Sequence, residues 1–232
     1  MTTATIDRLR DIARTEGPRL EKLDALEVLR WAADEFGRGL AVAASMQDTV
    51  LAHLASRALP GVDVLFLETG YHFTETLQTR DEVARRYAVT VRDLRSRLTV
   101  AEQDEAYGKD LFASDPDLCC ALRKTQPLDE ALDGYDIWAT GVRRSESPTR
   151  ANTPVLAFDE RREILKLAPL ATWTDEQVEA YASEHDVVTN PLLAQGYPSI
   201  GCWPCTRRVA PGEDRRAGRW SGTDKTECGI QL

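Results

Sequence analysis

Apolar and polar positions follow two different periods along the first part of the chain. Residues 1–36 carry apolar side chains at helical spacing with charges between them, which predicts a helical stretch. The apolar run "GLAVAAS" (39–45) follows a glycine and predicts a buried strand. Helical spacing returns in "DTVLAHLASRAL" (48–59) and stops at Pro60-Gly61.

The alternation of strand and helix continues to about residue 185. Further strands are predicted at "VDVLFLETG" (62–70), "VTVRDL" (89–94), "DIWATG" (136–141) and "EILKLAPL" (163–170). Further helices are predicted at 74–88 and from Thr174 to about His185. Strands that alternate with helices indicate an α/β fold, with a parallel sheet and helices on both of its faces.

The composition of the chain changes after about Ile200. The remaining stretch is rich in Gly, Arg and Cys and lacks regular apolar spacing. We interpret it as a metal-bound knuckle followed by a flexible tail. The predicted organisation is an α/β domain over residues 1–206, which includes the knuckle, and a mobile Arg-rich segment over residues 207–232.

Length and charge narrow the classes of protein that fit. A chain of 232 residues with 42% hydrophobic residues can bury a substantial core, as one large domain or a domain with an extension. The net charge of −9 argues against a general nucleic-acid or membrane-surface binder. The start "MTTATIDRLRDIARTEG" has no apolar signal region, and no apolar run approaches the roughly 20 residues of a membrane span. A cytoplasmic location is therefore expected.

The basic residues of this acidic chain are clustered. One cluster contains Arg143, Arg144 and Arg150, and the second contains Arg207, Arg208, Arg215, Arg216 and Arg219. Guanidinium groups fit the oxygens of phosphate or sulfate, so the clusters indicate a small anionic ligand. The alternative is surface charge paired with nearby carboxylates.

Three loops are predicted to lie beyond the carboxyl ends of the strands, where open parallel sheets bind ligands. They are "ASMQDT" (44–49), "LETGYHF" (67–73) and "TGVRRSESPTR" (140–150). The first precedes a helix, whose free N–H groups suit an anion. The third is rich in Arg and Ser, which also favours an anionic ligand.

Four cysteines form two pairs that can meet only through folding. Cys119 and Cys120 are adjacent in "DLCCALRKTQPL", and Cys202 and Cys205 follow in "GCWPCT". In a reducing compartment such cysteines indicate metal binding or catalysis rather than a disulfide framework. Four thiolates suit zinc or a [4Fe–4S] cluster, and a directly adjacent pair is unusual for zinc, which favours the cluster.

The fifth cysteine, Cys228, lies in "KTECGIQL" close to the second arginine cluster. One interpretation is an incidental thiol in the tail. The other is a nucleophile that a mobile segment carries to a bound electrophile, with nearby positive charge favouring its thiolate.

In combination, these stretches resemble one known family. The matching pieces are "SMQDT", "LETGYHF", "CCALRKTQPL", "TGVRRSESPTR", "NPLLAQGYPSIGCWPCT", "EDRRAGRW" and "KTECGI", which extend over nearly the whole chain. They resemble the iron–sulfur, assimilatory adenylylsulfate (APS) reductases of the phosphoadenylylsulfate (PAPS) reductase family. The resemblance implies a fold like that of ATP-pyrophosphatase (PP-loop) enzymes, a [4Fe–4S] cluster, and thioredoxin as the reductant.

The resemblance also implies roles for individual residues. It makes Cys228 the nucleophile and places Lys124 between the cluster and the substrate. The implied cluster ligands are Cys119, Cys120, Cys202 and Cys205. The implied substrate-binding residues are Ser45 in the PP-loop-like turn, Leu67 and Gly141 in the nucleotide pocket, and Arg150, Arg216 and Arg219 at the phosphosulfate.

The implied reaction forms an S-sulfonate on Cys228 with AMP as the leaving group, and thioredoxin then releases sulfite. Two departures from the family pattern stand out. The turn "ASMQDT" has Ala44 and Met46 where pyrophosphatases have a Ser- and Gly-rich sequence, which argues against ATP hydrolysis there. In the tail, Gln231 stands where the family usually has a histidine.

Three alternatives remain. Reduction of PAPS would use the same chemistry on a 3′-phosphorylated substrate, and the cluster cysteines favour APS over it. A zinc-stabilised, non-catalytic nucleotide-binding module would explain the cysteines without the reaction. A PP-loop ligase or tRNA-thiolating enzyme is disfavoured by the acidic composition and the altered turn. The family further suggests a homo-oligomer.

Overall fold

The computed structural model describes residues 2–230, so Gln231 lies outside the described residues. The helices are α1 Thr3–Leu20, α2 Ala25–Phe36, α3 Val50–Ala58, α4 Thr74–Arg86, α5 Val100–Tyr107, α6 Leu111–Ser114, α7 Pro116–Cys120, α8 Gln126–Leu132 and α9 Asp175–Glu184. The strands are β1 Leu40–Ala43, β2 Val62–Glu68, β3 Val89–Arg95, β4 Ile137–Thr140, β5 Leu156–Asp159 and β6 Ile164–Leu167. Within this range no helix combines the length and apolarity that crossing a membrane requires.

The strands form one six-stranded sheet in the order β3-β2-β1-β4-β6-β5. All neighbours are parallel except β5 and β6, which are antiparallel. The predicted parallel sheet is confirmed, with β5 added at one edge. The sequence pattern missed β5 because only its first residue, Leu156, is buried, so the strand has no clear apolar alternation.

Apolar side chains cover both faces of the sheet, as predicted. Val42 and Val64 belong to the core cluster that also contains residues of α1, α2, α3 and α9. Ala41 and Leu65, their neighbours along the strands, belong to the opposite cluster with Leu128 of α8. Burial on both faces explains why these strands contain several consecutive apolar residues.

The predicted helical stretch over 1–36 is two helices rather than one. The break falls at residues 21–24, and Asp24 begins α2 with a capping box. The Asp24 Oδ1 accepts from the backbone N–H of Glu27 at 2.8 Å, and Glu27 Oε2 accepts from the backbone N–H of Asp24 at 3.1 Å. Thr174 caps α9 in the same way with Gln177, as its sequence predicts.

The adjacent cysteines lie at the end of α7, on a helical segment with an irregular turn. Asp115 caps α7 by accepting from the backbone N–H of Leu118 at 2.9 Å, and Pro116 occupies the first turn. A π-helical turn over Ala121–Thr125 then leads into α8. Single π turns within helices are frequent at functional sites, because they alter the direction of the side chains that follow.

The segment after Thr206 packs on the domain. It has little regular structure, apart from a bridge between Thr206 and Arg219. Its last described residue, Ile230, is only 9% exposed and packs against the core cluster of Leu128 and Trp138. The mobility predicted for 207–232 stays a prediction, and the structure shows the described part of this segment, to Ile230, packed on the domain.

Candidate active site

A pocket of about 210 Å³ opens at the carboxyl ends of β1, β2 and β4. All three loops predicted from the sequence contribute to its lining, together with residues 199–202 and the C-terminal segment. The residues predicted to bind substrate all line it: Ser45, Leu67, Gly141, Arg150, Arg216 and Arg219. The predicted catalytic residues, Lys124 and Cys228, line the same pocket.

The turn after β1 is held in place by a buried asparagine. Asn190 donates from Nδ2 to the carbonyl oxygen of Met46 at 3.2 Å, and its backbone N–H donates to that of Gln47 at 2.8 Å. Met46 is buried and has a φ of 59°, in the left-handed region that side chains rarely adopt. A fixed turn without glycine fits the expectation that this loop differs from that of ATP-hydrolysing enzymes. Sequence reasoning did not identify Asn190.

Arg143 is buried in a network of carboxylates. Its Nη2 donates to Oδ1 of Asp175 at 2.9 Å, and its guanidinium also lies 3.5 Å from Asp48 and from Glu146. Burial raises the pKa of Asp48, and the charge of Arg143 opposes this rise. Because three acids surround Arg143, its positive charge is compensated within the protein.

The arginines of the first cluster therefore make different contacts. Arg144 turns away from the pocket and pairs with Glu21 at 2.8 Å, next to the end of α1. Arg150 lines the pocket. Of the three arginines in this cluster, Arg150 is the one that the pocket lining contains. The interpretation of paired surface charge holds for Arg144, and the interpretation of an anion site suits Arg150.

The second cluster separates in the same way. Arg207 pairs with Glu213 at 2.9 Å on the surface, Arg208 lies over the ring of Tyr197, and Arg215 pairs with Asp175. Arg216 and Arg219 line the pocket. Arg219 donates to Ser199 Oγ at 3.2 Å and lies 4.5 Å from the centre of the Trp220 ring.

The charges of Arg150 and Arg216 act on one another. Burial lowers the pKa of Arg216, the nearby charge of Arg150 lowers it further, and Glu227 opposes both. Two guanidinium groups in such a partly buried site require an anion between them. In the structure, the carboxylate of Glu227 supplies it.

The four paired cysteines lie around one small cavity next to this pocket: Cys119, Cys120, Cys202 and Cys205. None of them is in a disulfide. Burial raises the pKa of Cys119 to about 12 and that of Cys205 to about 11, with the neighbouring thiols adding to both shifts. Buried thiols that crowd in this way ionise readily only when a metal supplies compensating positive charge.

Hydrogen bonds join the two cysteine-bearing segments to the loop that follows β2. Thr69 Oγ1 lies 3.4 Å from the Cys202 sulfur, and the backbone N–H of Trp203 donates to the carbonyl of Tyr71 at 2.8 Å. Arg123 donates to the carbonyl of Thr69 at 3.0 Å. Within residues 2–230, no three His, Cys, Asp or Glu side chains are placed so that together they could hold one metal ion.

Lys124 lines both the cysteine cavity and the main pocket. Burial lowers its pKa, but the thiols of Cys202, Cys228 and Cys120 raise it more, so the overall pKa lies above the usual range. Lys124 is therefore an ammonium group at the boundary between the two cavities.

Cys228 faces the pocket from the C-terminal segment. Its side chain is half-buried and packs against the core cluster that contains Ile230. Gly229 follows with a φ of 76°, which lets the backbone turn between Cys228 and Ile230. The thiol thus shares a pocket with Lys124 and three arginines.

Comparisons with known proteins identify relatives that match almost the whole chain. Residues 39–208 match the phosphoadenosine phosphosulfate reductase domain. The chain belongs to the phosphoadenosine phosphosulfate reductase family. A relative from Streptomyces coelicolor named adenosine 5′-phosphosulfate reductase is 59% identical, and the match covers 97% of this chain and 96% of the relative.

Solved structures of this family and of more distant proteins share the fold. A phosphoadenylyl-sulfate (PAPS) reductase from Candida auris, solved as a phosphate complex, is 30% identical with a TM-score of 0.70; the match covers 90% of this chain and 98% of that one. FMN adenylyltransferase from Candida glabrata is 12% identical with a TM-score of 0.56, over 88% of this chain and 74% of that one. The predicted PP-loop type of fold is confirmed.

Proposed function

We propose that this enzyme reduces adenosine 5′-phosphosulfate to sulfite and AMP, with thioredoxin as the electron donor, in cytoplasmic sulfate assimilation. The observation that carries the proposal is the position of Cys228, whose thiol shares one pocket with Lys124 and with Arg150, Arg216 and Arg219. Relatives that align along nearly the whole chain carry the name of this activity.

The first step is a nucleophilic displacement at sulfur. The thiolate of Cys228 attacks the sulfur of the sulfate group and forms an S–S bond, giving a Cys S-sulfonate. The bond between that sulfur and the bridging oxygen breaks, and AMP leaves with the electron pair. Ser45, Leu67 and Gly141 line the pocket beside the arginines, which suits a nucleotide bound across the ends of β1, β2 and β4.

Positive charge makes this step feasible. An anionic thiolate approaches an anionic substrate, so the repulsion must be compensated. Arg150, Arg216 and Arg219 suit the oxygens of the phosphosulfate, and Lys124 supplies a further cation on the cysteine side of the pocket.

The second step releases sulfite. A thioredoxin thiolate attacks the Cys228 sulfur, forms a mixed disulfide and displaces sulfite, which takes the bonding electron pair. The second thioredoxin thiol then attacks the mixed disulfide and frees the Cys228 thiolate. Thioredoxin leaves as a disulfide, so its dithiol supplies the two electrons of the reduction. This step requires the tail to open, which is the role we propose for the mobility of residues 207–232.

The cysteine cavity suits a [4Fe–4S] cluster. Its donor set is four thiols in one cavity, one for each iron: Cys119, Cys120, Cys202 and Cys205. When bound, the cluster would supply a fixed anionic charge next to Lys124 and would hold the two cysteine-bearing segments together. Thr69, whose hydroxyl lies 3.4 Å from the Cys202 sulfur, would support one ligand.

Sulfite release from APS and from PAPS tests the proposal. Protein purified without oxygen, with about four irons and four labile sulfides per chain, is expected to release sulfite from APS at least about tenfold faster than from PAPS when thioredoxin is present. Faster release from PAPS would assign the alternative substrate. Bound zinc without sulfide, together with no sulfite from either nucleotide, would instead favour the nucleotide-binding module.

A substitution at Gly201 should affect substrate binding more than stability. A Cβ atom at this position would lie 2.6 Å from Cζ of Arg219, so Gly201→Ala forces the guanidinium out of its place. We expect a loss of about tenfold in APS affinity, in line with one lost charge-assisted contact, and a change in unfolding free energy below about 1 kcal/mol. Binding isotherms and denaturant unfolding measure the two effects.

Gly134→Ala is the matched control, because its nearest neighbour to a new Cβ is a carbonyl oxygen at 3.9 Å. It should leave APS affinity unchanged. If Gly201→Ala also keeps full affinity, Arg219 does not bind the substrate.

A further inference from the structure

The carboxylate of Glu227 lies between two of the arginines proposed to bind substrate. Arg150 donates from Nε to Oε1 of Glu227 at 2.8 Å and from Nη2 to Oε2 at 2.7 Å. Arg216 donates from Nη2 to the same Oε2 at 3.3 Å. Paired N–H donors on two neighbouring oxygens are also the geometry with which guanidinium groups bind phosphate and sulfate.

This contact is sheltered from solvent. The side chain of Glu227 is 8% exposed, and those of Arg150 and Arg216 are each 14% exposed. Although burial opposes ionisation of Glu227, the hydrogen bonds and charge of Arg150 hold its pKa below the usual range. The group between the arginines is therefore an anion.

We propose that Glu227 occupies the anion site of the substrate while no substrate is bound. Its carboxylate takes the places that the phosphosulfate oxygens of APS take on binding, so Glu227 and APS compete for Arg150 and Arg216. This inference rests on the proposed function, since it takes the ligand of the arginines to be a phosphosulfate.

Contacts on both sides of Cys228 keep the C-terminal segment on the domain when Glu227 is displaced. On one side of Cys228, Lys225 forms an ion pair with Asp117 of α7 and lies over the ring of Trp220. On the other side, Ile230 is inserted into the core. Exchange at Glu227 therefore requires only a local shift, and Cys228 remains at the pocket during it.

The charge balance of the site favours such an exchange. Four cations line the pocket, namely Lys124, Arg150, Arg216 and Arg219. Two carboxylates line it as well, those of Asp48 and Glu146, and both also contact Arg143. Glu227 adds a third carboxylate, on Arg150 and Arg216. Displacing Glu227 leaves an excess of positive charge, and the phosphosulfate carries negative charge on both its phosphate and its sulfate. Competition of this kind weakens the binding only of ligands that have an anionic group. A segment that blocked the pocket by its size would weaken the binding of neutral ligands as well.

The test compares ligand affinities of two cluster-loaded variants. Cys228→Ser prevents turnover, and the second variant adds Glu227→Gln, which removes the charge with little change in size. Equilibrium dialysis gives the Kd of APS and of adenosine for each. If Glu227 holds the two arginines about ten times as often as it leaves them free, Glu227→Gln should lower the Kd of APS about tenfold. The Kd of adenosine should stay unchanged.

Glu213→Gln is the matched control. It removes the same charge from the same segment, at an exposed pair with Arg207, and should leave both Kd values unchanged. Equal or weaker APS binding in Glu227→Gln would overturn the inference, and so would equal tightening of APS and adenosine, which would indicate a steric lid. Failure of the Cys228→Ser parent to bind APS would instead overturn the proposed function, and this inference with it.

Discussion

Cys228→Ser is expected to abolish sulfite release, with a loss of about 10³-fold or more. A serine hydroxyl fits the same place, but it ionises far less readily than a thiol and cannot form the S–S bond on which the proposed reaction depends. The measurement is sulfite released from APS by the cluster-loaded variant with saturating thioredoxin. Labelled APS should also leave no covalent sulfonate on the variant, whereas the native protein should retain it when thioredoxin is omitted.

The variant must be intact for this result to be informative. Its iron and sulfide content should match the native values, since Cys228 is not among the residues of the cysteine cavity. Its affinity for APS should also match, since serine has nearly the same size as cysteine and Arg150, Arg216 and Arg219 are unchanged. Asp224→Asn, at an exposed position of the same segment, is the control and should retain full activity. Sulfite release by Cys228→Ser above about a tenth of the native rate would exclude Cys228 as the nucleophile.

The centre of the sheet was predictable because its inner strands, β2, β1, β4 and β6, are largely buried. Within β2, residues 64–67 are consecutive apolar side chains for that reason, and turn residues separate such runs from amphipathic helices. The helices between residues 100 and 132 were harder to predict. They are short, α5 buries only Gln103, and the π turn at Ala121–Thr125 depends on packing around the cysteine cavity.

The candidate site was predictable as a set of loops and less so as a set of contacts. Motif positions placed Arg150, Arg216 and Arg219 together, and all three line the pocket. Spacing alone did not separate them from Arg144, because the partner of Arg144, Glu21, lies more than a hundred residues away along the chain. The role of Asn190 was hidden for the same reason, since its bonds to the turn after β1 arise only in the folded chain.

The packed position of the C-terminal segment could not be predicted from the sequence. The stretch around Glu227 and Cys228 has no regular apolar spacing, which indicates a flexible segment. Its position depends on isolated contacts: a carboxylate between two arginines, the ion pair of Lys225 with Asp117, and one isoleucine in the core. Such contacts are specific in three dimensions but leave no periodic signal along the chain.

Lys124→Ala is expected to reduce turnover by about 10²- to 10³-fold while leaving most of the cluster in place. The reason lies in the position of Lys124, which lines both the cysteine cavity and the substrate pocket without belonging to the set of four thiols. Its ammonium group would compensate negative charge that develops as the thiolate meets the phosphosulfate. Iron and sulfide analysis and sulfite release are measured on the same preparation, with Lys109→Ala, at an exposed position, as the control.

Comparing the loss of sulfite release with the loss of bound cluster decides between two roles for Lys124. If the lysine acts on the substrate, activity per bound cluster falls by nearly the full factor. If it only supports the two cysteine-bearing segments, iron, sulfide and activity decline together and activity per cluster stays near the native value. Retention of charge in Lys124→Arg should restore part of the rate in the first case, although the larger guanidinium must fit a site where the native side chain is already buried.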